Sequence, residues 1–518
     1  MEDLVKKYDA VIIGAGPGGL SAGLSLASGG WKVLIAEKNA APGGNCTAKT
    51  VGGYTFDLAV HQLSGIGGGG ICARIMKEYG IAGKLDFRQV DPFLVLDMPD
   101  RSYVLPGNRE GLREELLKDF PGDKKDIDRM LAGLDTLKKD ALISQRLLYG
   151  KNAAVQDMLS GTVGPLKIAT FPFTFFRGMI LKMRLDADSM LSRWVGNKKL
   201  RAIIHSSWIY LGLPPRRLSG VMMNVFVAMQ HMEHSYYPAG SSRKLAETMA
   251  EAFREHGGEL RLSSPVKKIL TEGGRASGVE LEDGSTALAG TVISNADALH
   301  TYKKLLGRDR APAGLVEKLE KLKLSVGPFR VCLGLDYDAA AHGLEQHEYI
   351  LLPGYDHEET YAAQERGELA VLSVYSPSRI CPELAPPGHS TLILTTTIPW
   401  SAAGAWTSRK EEMAARMIEM VEKKRLPGLS KHIVLKEILT PGDLQRLTNS
   451  SEGAMYGWAN TPGQVLTFRF SMKSPLRGLY HAGHWTRPGT GVTTAILSGW
   501  LLGNRLKSWV GKYLDRLI

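Results

Sequence analysis

The hydrophobic pattern at the start of the chain predicts a strand, a helix and a second strand in close succession. An apolar run over residues 10–13 leads through a glycine-rich turn into an Ala- and Leu-rich segment, and a second apolar run covers residues 33–36. Short apolar runs on either side of a helical pattern are typical of a parallel β-α-β unit. This part of the chain therefore predicts an α/β fold.

The glycine turn has the spacing of a dinucleotide-binding loop. Gly14 permits the tight turn, Gly16 lets the backbone approach a pyrophosphate, and Gly19 lets the helix pack close to the strand. Glu37 follows the second strand, where a carboxylate can accept hydrogen bonds from the hydroxyls of a ribose. The same unit contributes further predicted cofactor contacts: Ala15, Pro17, Gly18 and Lys38.

Two later regions have their own patterns. Residues 110–230 are predicted to be mostly helical and contain an aromatic, basic block at residues 171–184. Residues 325–400 carry alternating segments, which predict a sheet that forms the floor of a pocket. Seven methionines lie near the helical region, and such flexible apolar side chains suit a tunnel for a long lipid, although core packing would explain them equally well: Met179, Met183, Met190, Met222, Met223, Met229 and Met232.

Composition narrows the class of protein. The 518 residues are 44% hydrophobic and 23% charged, which excludes a disordered, collagen-like or disulfide-stapled chain. Four widely spaced cysteines indicate a reducing compartment and neither a zinc site nor a disulfide framework. The net charge of +11 favours anionic partners, either lipid headgroups or nucleic acid, and no secretory leader or spanning segment is predicted.

Three motifs resemble the flavoproteins with two dinucleotide-binding domains, a group that includes the amine oxidases. They are the segment Pro42-Gly43-Gly44-Asn45, the segment Gly52-Gly53-Tyr54-Thr55-Phe56-Asp57, and a closing run from Gly478 through Gly499. Within that group the chain is similar to the family of bacterial-type phytoene desaturases, carotenoid isomerases and retinol saturases. The residues that carry this resemblance are Phe56-Asp57 with His61, Tyr237-Pro238, Asn295 with Asp297, Thr440-Pro441 with Asp443, and Pro488-Gly489 with Gly491.

The resemblance implies FAD as the tightly held cofactor. The positions that match the family's FAD contacts, beyond those of the glycine loop, are Gly43, Gly44, Asn45, Val266, Gly483, His484, Gly491, Val492 and Thr493. Asn45 stands where amine oxidases usually carry arginine, which counts against amine oxidation. His484 replaces the acid that holds the ribityl chain in many relatives, so this contact is expected to be a neutral or cationic hydrogen bond. The helix that begins after Gly491 could stabilise a reduced, anionic flavin through its free N–H groups.

The predicted fold is α/β, a Rossmann-like FAD-binding domain with an inserted α+β substrate domain. The positions of the motifs divide the chain into a discontinuous FAD-binding domain over residues 1–90, 230–300 and 440–518, and a substrate and membrane-associating domain over residues 91–229 and 301–439. The last segment, residues 501–518, has one apolar helical face with basic residues elsewhere. Such a helix either lies on an anionic membrane or docks against the FAD domain.

The predicted activity is that of an FAD-dependent oxidoreductase acting on carbon–carbon bonds of a polyisoprenoid or carotenoid-like lipid, by desaturation, saturation or cis/trans isomerisation. A polar-substrate oxidase of the amine oxidase type and a non-catalytic flavin or lipid carrier are the alternatives. His61, His484 and Arg487 are the candidates for catalysis, Tyr456 and Trp458 for the pocket wall, and no metal site is expected.

The expected partners are a long apolar polyene and a membrane surface, without nucleic acid. We expect a cytoplasmic protein that is peripheral on the inner face of the cell membrane. The sequence leaves open the lipid, the choice among the three reactions, the electron donor or acceptor and the oligomeric state.

Overall fold

The structure is a computed structural model and describes residues 5–67, 69–149 and 180–508. Its strands are β1 (Val5–Ile13), β2 (Val33–Ala36), β3 (Ala48–Val51), β4 (Tyr54–Asp57), β5 (Phe87–Val90), β6 (Leu94–Asp97), β7 (Ser102–Leu105), β8 (Ser235–Pro238), β9 (Glu259–Arg261), β10 (Val266–Glu272), β11 (Arg275–Leu281), β12 (Thr286–Ser294), β13 (Gly327–Leu335), β14 (Glu348–Leu351), β15 (Leu372–Tyr375), β16 (Ser390–Ile398), β17 (Ile433–Leu439) and β18 (Leu479–His481).

The α-helices are α1 (Pro17–Ala27), α2 (Ile71–Glu78), α3 (Arg109–Asp119), α4 (Lys124–Tyr149), α5 (Ile180–Met183), α6 (Ala187–Leu191), α7 (Lys198–Ile204), α8 (Gly220–Met232), α9 (Ser242–Glu255), α10 (Ala298–His300), α11 (Leu315–Glu320), α12 (His357–Glu365), α13 (Pro377–Ile380), α14 (Trp400–Ser408), α15 (Lys410–Lys424), α16 (Pro441–Thr448) and α17 (Val492–Lys507). None of the helices in these described residues is long and apolar enough to cross a membrane.

The first sheet has the order β10-β11-β12-β1-β2-β9, with β18 paired to β12. Strand β1 runs parallel to β2 and β12, β18 runs parallel to β12, and β9 runs parallel to β2. All four residues of β2 are buried, because helices α1, α9 and α17 cover one face of this sheet and a second apolar cluster covers the other. A continuous apolar run buried on both faces is the signature of a parallel strand. The predicted α/β fold is therefore confirmed.

The second sheet has the order β17-β13-β16-β15-β14-β6-β7 and is antiparallel except between β6 and β14. Its strands come from residues 94–105, 327–398 and 433–439, whereas the first sheet uses residues 5–36, 259–294 and 479–481. Strands β13 and β16 are buried along their whole length. Their sequence alternation therefore does not separate a solvent face from a core face. One face packs on α14 and α15, and polar side chains occur on the other.

The described part of residues 110–230 is mostly helical, as predicted. Residues 171–179 of the aromatic, basic block and Met179 lie outside the described residues, as do residues 509–518 of the C-terminal segment. The preceding residues of that segment belong to α17, which packs tightly on α1: a Cβ atom added at Gly499 would lie 2.0 Å from the Gly18 carbonyl oxygen. Leu501, Leu502 and Leu506 are buried in this contact. This part of the segment is docked on the protein.

Candidate functional site

The loop after β1 is shaped by contacts that exclude side chains. Gly14 has a φ of +94°, a conformation that favours glycine. A Cβ atom added at Gly18 would lie 2.5 Å from the Cα atom of Gly483, and one added at Gly19 would lie 2.1 Å from the carbonyl oxygen of Gly14. Helix α1 thus starts directly beside both the β1 turn and the turn after β18.

The N-terminus of α1 is open to an anion. Its N-cap residue, Gly16, makes no side-chain hydrogen bond to the first turn, and the first turn contains no acidic residue. The free N–H groups and the positive end of the helix dipole favour a phosphate at this position. A large cavity lies in front of this helix end, and its lining includes Gly14, Gly16, Pro17 and Gly18.

Glu37 is held rigidly at the end of β2. One carboxylate oxygen accepts from the Ala15 amide at 2.7 Å and the other from the Asn39 amide at 2.9 Å. Only 4% of the residue is exposed, and it lines the cavity together with Lys38. The Lys38 ammonium donates to the Arg446 carbonyl at 2.6 Å, and burial lowers its pKa. The Glu37 carboxylate is therefore fixed beside the glycine loop with oxygen lone pairs left for a ribose.

A single continuous cavity joins this loop to the interior of the helical insertion. It encloses about 2870 Å³ of empty space, its opening to solvent included. The predicted cofactor residues that line it are Gly14, Gly16, Pro17, Gly18, Glu37, Lys38, Gly44, Asn45, Val266, Gly483, His484, Gly491, Val492 and Thr493. Segments far apart in the chain thus meet around one space.

Three predicted cofactor residues stand behind the cavity wall. The Ala15 amide holds Glu37, and the Ala15 carbonyl accepts from the Gly43 amide at 2.9 Å. Gly19 permits the close packing of α1 described above. These residues shape the loop and do not line the cavity.

The opposite end of the cavity is apolar. Helix α8 contributes Met222, Val225, Phe226 and Met229, whose half-buried side chains line the cavity wall. Other apolar lining residues are Leu63, Phe93, Met183, Ile209, Leu211, Val221, Val371 and Leu466. Three of the seven methionines thus face the cavity, whereas Met190, Met223 and Met232 pack in the protein core.

His484 lines the cavity and is neutral. Burial, reinforced by the nearby charge of Arg469, lowers its pKa to about 3. Its Nε2 atom is buried and has no hydrogen-bond partner among the described residues. The sequence predicted either a neutral or a cationic hydrogen bond from His484. This buried environment favours the neutral one.

Arg487 lies away from the cavity lining. Its Nε donates to the Arg469 carbonyl at 3.0 Å. Trp458 does not form the pocket wall either: it is buried against Trp485, with ring centroids 5.1 Å apart at 88°. Tyr456 lines the cavity, as predicted, and its hydroxyl donates to the Ile209 carbonyl at 3.2 Å.

His61 lies in the cavity wall between two buried charges. Its Nδ1 is 2.7 Å from a carboxylate oxygen of Glu348, and an Nη atom of Arg330 donates to its Nε2 at 3.0 Å. Since the guanidinium can only donate, Nε2 is the acceptor and Nδ1 carries the proton. Burial lowers the pKa of His61 although Glu348 opposes the shift. Both ring nitrogens of a neutral imidazole are therefore occupied.

Besides His61, three further residues surround the Glu348 carboxylate. Gln62 donates at 3.1 Å and Ser373 at 3.0 Å, while Tyr210 lies close to the carboxylate. Burial alone would raise the pKa of Glu348, but its interactions with His61, His347 and Tyr210 outweigh burial and lower the pKa. The carboxylate is thus satisfied within the protein.

Sequence reasoning missed three buried charged residues: Arg330, Glu348 and Arg469. Arg330 interrupts the apolar run Pro328-Phe329-Arg330-Val331, and Glu348 begins the buried strand Glu348-Tyr349-Ile350-Leu351. A charge within a buried strand pattern was the available signal, because such a charge must be paired inside the protein. Arg469 has no comparable signal in its surroundings.

The residues around the cavity fit FAD. The glycine cradle, the open N-termini of α1 and α17, and Glu37 match the groups of a dinucleotide. Asn45 Oδ1 and His484 Nε2 are buried polar atoms without partners among the described residues, which a bound cofactor could satisfy. No cluster of metal-ligating side chains occurs in the described ranges.

Comparisons with known proteins point to the same cofactor. The family model of flavin-containing amine oxidoreductases matches residues 17–502. A neurosporene-forming phytoene desaturase of Rhodobacter capsulatus is 28% identical and covers 96% of this chain and 93% of its own. A chloroplastic prolycopene isomerase of Arabidopsis thaliana is 27% identical, with 97% and 83% covered. A 4,4'-diapolycopene oxygenase of a Methylomonas species is 28% identical, with 96% and 97% covered.

Solved structures show the same fold at lower identity. An oxidoreductase from Methanosarcina mazei has a TM-score of 0.63 at 18% identity and covers 96% of this chain and 100% of its own. A putrescine oxidase bound to putrescine has a TM-score of 0.62 at 16% identity, with 97% and 99% covered. These likenesses extend over nearly the whole chain.

Proposed function

Because the chain belongs to the family of flavin-containing amine oxidoreductases, it is an FAD-dependent oxidoreductase, and we propose that it acts on carbon–carbon bonds of a polyisoprenoid or carotenoid-like lipid. The reaction is desaturation, saturation or cis/trans isomerisation of the polyene. All three need a flavin placed beside a long apolar binding site.

The observation that carries the proposal is the continuity of the cavity. One end is formed by the glycine loop and Glu37, and the other by the apolar face of α8 with Met222, Val225 and Met229. An extended, mostly hydrocarbon substrate would bury its surface along such a wall. Flexible methionines suit a long chain whose shape changes during the reaction.

The relatives support a polyene over an amine. The curated relatives above are named for phytoene, prolycopene and diapolycopene, at 27–28% identity over nearly the full chain. The likeness to putrescine oxidase, at 16% identity, concerns the fold alone. The apolar lining of the α8 end also gives little to hold a charged amine. The polar-substrate oxidase is therefore the less supported function.

When bound, FAD supplies the exchange of hydride with carbon. The protein's residues would bind and orient the reactants: the N-terminus of α1 would hold the phosphates, and Glu37 would accept from the ribose hydroxyls. The N-terminus of α17, whose Val492 and Thr493 line the cavity, adds a second positive helix end. The apolar wall of α8 excludes water from the substrate.

Among the three predicted catalytic residues, the geometry favours positioning roles. Both nitrogens of His61 are engaged, so a proton could reach it only after Arg330 or Glu348 moves. His484 carries no charge at neutral pH. We therefore infer that His61 orients the polar part of the cavity wall and that His484 contacts the cofactor.

The direct test is the mass change of polyene lipids incubated with FAD-loaded protein on liposomes, in separate oxidised and pre-reduced reactions. Loss of two hydrogens identifies a desaturase, gain of two a saturase, and an unchanged mass with a shifted retention time an isomerase. If intact FAD is bound but no lipid changes, while peroxide forms with amines, the polyene proposal is wrong. Absence of any turnover would favour a carrier.

A matched pair of variants ties the reaction to the α8 wall. Val225→Trp fills the apolar end of the cavity, so lipid turnover should fall at least tenfold while FAD stays bound. Val434→Trp places the same side chain on the surface, where Val434 is 55% exposed, and should leave turnover unchanged. Equal activity of both variants would show that the α8 wall does not contact the substrate.

We also propose that the protein is peripheral on the cytoplasmic face of the cell membrane. Leu466, at the apolar end of the cavity, packs near Met183, and the exposed Phe468 follows in the same turn. The basic residues Lys182 and Arg184 lie next to Met183 in sequence. We propose that the cavity opens at this surface, which is defined by Lys182, Arg184, Leu466 and Phe468 and is called the mouth surface, so that an apolar substrate could pass directly from lipid into the cavity.

A further inference from the structure

The floor of the cavity is a polar patch in an otherwise apolar wall. Three neighbouring strands of the second sheet place Arg330, Thr395 and Ser373 side by side, because Arg330 pairs with Thr395 and Thr395 pairs with Ser373 across the ladder. All three line the cavity. Cross-strand partners point to the same side of a sheet. The patch is therefore continuous over three strands.

His61, which accepts a hydrogen bond from Arg330, extends this polar patch beyond the three strands. The edge of the Tyr210 ring faces His61 at a centroid distance of 5.6 Å, and Gln62 follows His61 in the chain. Tyr210 and Gln62 also line the cavity. We call the set His61, Gln62, Tyr210, Arg330, Ser373 and Thr395 the polar floor.

Three polar atoms of the polar floor have no hydrogen-bond partner among the described residues, although all three are buried. They are Arg330 Nε, Gln62 Oε1 and Thr395 Oγ1. Gln62 cannot be rotated to hide its oxygen, since its amide nitrogen already donates to Glu348 and to the Phe93 carbonyl at 3.1 Å each. A pure hydrocarbon against the polar floor offers these three atoms no partner, which is unfavourable.

We propose that the polar floor binds a neutral oxygen function carried by the polyene substrate, a hydroxyl group above all. This inference rests on the proposed function and specifies its substrate class. A hydroxyl can accept from Arg330 or Thr395 and donate to Gln62 Oε1, whereas a carbonyl can only accept. The polar floor therefore favours an alcohol over an aldehyde, and both over the hydrocarbon.

A carboxylate is a poor match for the same place. The charge of Arg330 is already balanced by the buried Glu348 carboxylate, to which His61 links it. The Arg330 guanidinium also donates to the Tyr375 hydroxyl at 2.9 Å and to the Asp57 carbonyl at 3.2 Å. A substrate anion would thus be a second buried negative charge without a free cation to pair with.

The test compares four ligands on one carbon skeleton: a linear polyene hydrocarbon and its terminal alcohol, aldehyde and carboxylic acid. Dissociation constants are measured from the change in flavin absorbance of FAD-loaded protein on phosphatidylcholine vesicles, without an electron donor. The masses of the products are determined by mass spectrometry in parallel. We expect the alcohol to bind about tenfold tighter than the hydrocarbon, the aldehyde to fall between them, and the acid to gain nothing.

Thr395→Val removes one hydroxyl with little change in volume and should reduce the preference for alcohol over hydrocarbon about threefold to tenfold. Thr391→Val is the matched control on the same strand: its hydroxyl accepts from the Ser378 amide, it does not line the cavity, and the preference should not change. The ratio of the dissociation constants of the two ligands, measured on the same protein, is insensitive to a general loss of stability.

Two outcomes would overturn the inference, and they differ from each other. If the hydrocarbon binds as tightly as the alcohol and is turned over, the polar floor does not read an oxygen function, while the proposed function stands. If no polyene of the panel binds or reacts, the proposed function fails and this inference fails with it.

Discussion

Arg469 donates two hydrogen bonds to the main-chain carbonyl of His484, from Nε at 3.1 Å and from Nη2 at 2.6 Å. The guanidinium also donates to the carbonyls of Tyr456 and Trp458, at 3.0 and 3.5 Å. It is wholly buried, and no carboxylate of the described residues pairs with it. A buried positive charge satisfied by neutral carbonyls alone therefore lies directly behind a residue of the cofactor cavity.

This arrangement predicts that Arg469 tunes the bound flavin. Its fixed charge favours the more negative, reduced cofactor. Arg469→Met should lower the midpoint potential by about 30 mV, which corresponds to a tenfold change in a two-electron equilibrium. Arg469→Lys keeps the charge and should restore most of the potential, although it loses hydrogen bonds.

The potential is measured by reductive titration against a reference dye. Arg366→Met, on an exposed side chain that pairs with Glu359 and Glu368, is the control and should not shift it. A normal potential in Arg469→Met protein that retains FAD would show that the guanidinium acts only as a structural clamp.

Replacement of Glu37 should weaken FAD binding. In Glu37→Gln an amide N–H group must face either the Ala15 or the Asn39 amide, so one donor is left without an acceptor. The loss of a charge-assisted hydrogen bond costs about 1.5–3 kcal/mol, and the dissociation constant of FAD should rise about tenfold to a hundredfold. Fluorescence titration of the apoprotein measures it, and Glu437→Gln, at a partly exposed carboxylate that pairs with Lys49 away from the cavity lining, is the control. An unchanged constant would mean that the carboxylate does not contact the nucleotide.

A methyl group at Gly18 should disrupt the cofactor loop. In Gly18→Ala the new Cβ atom would lie 2.5 Å from Gly483 and 2.6 Å from the side chain of Asn295. We expect a loss of about 1–3 kcal/mol in the free energy of unfolding, and purified protein with little bound FAD. Gly404→Ala, in helix α14 with no atom within 4 Å, should stabilise the protein by up to about 1 kcal/mol. Thermal melting and the flavin absorbance report both effects.

Acid should destabilise the protein through its buried histidines. Burial lowers the pKa of His205, His481 and His484 to about 3 and that of His231 to about 4. Between pH 6.5 and these values the unfolded chain binds protons that the folded protein does not, so the free energy of unfolding falls as the pH falls. Each histidine that is protonated in the unfolded chain and neutral in the folded protein lowers the free energy of unfolding by about 1.4 kcal/mol per pH unit.

Urea unfolding of the apoprotein at pH 7, 6 and 5 measures this slope. Because Nε2 of His484 has no partner, His484→Gln should fold and should reduce the slope by the share of one histidine. His342→Gln, on the surface, should leave the slope unchanged. Identical slopes for the wild type and His484→Gln would contradict the assignment of His484 as neutral and buried.

The mouth surface should bind anionic membranes. The double variant Phe468→Ser, Arg184→Glu removes an exposed aromatic ring and reverses one charge, so binding to vesicles that contain phosphatidylglycerol should weaken at least tenfold. Flotation measures the bound fraction, and Val434→Ser with Arg366→Glu is the matched double control. Equal binding of both double variants would place the membrane contact elsewhere or exclude it.

Sequence reasoning found the residues whose role depends on local spacing. The glycine loop and Glu37 lie at the cavity, because a strand-turn-helix unit places its own residues. Val266 and Gly491, which the family resemblance implied, line the same cavity. The domain boundaries remain a prediction. Trp458 was assigned to the wrong surface, since a motif does not show which side of a loop faces a cavity.

The sequence by itself determined the α/β fold and the nucleotide end of the site, because their signals lie within about 30 residues of one another in the chain. The cofactor class followed from the family resemblance, whose motifs are spread along the whole chain. Only the tertiary structure decided the substrate end. His61 joins Arg330 to Glu348, so that three separate segments meet, and Arg469 reaches His484 through a turn without any repeat or periodicity. Burial forces such charges to find partners inside the protein, but which partners they find depends on how distant strands pack together.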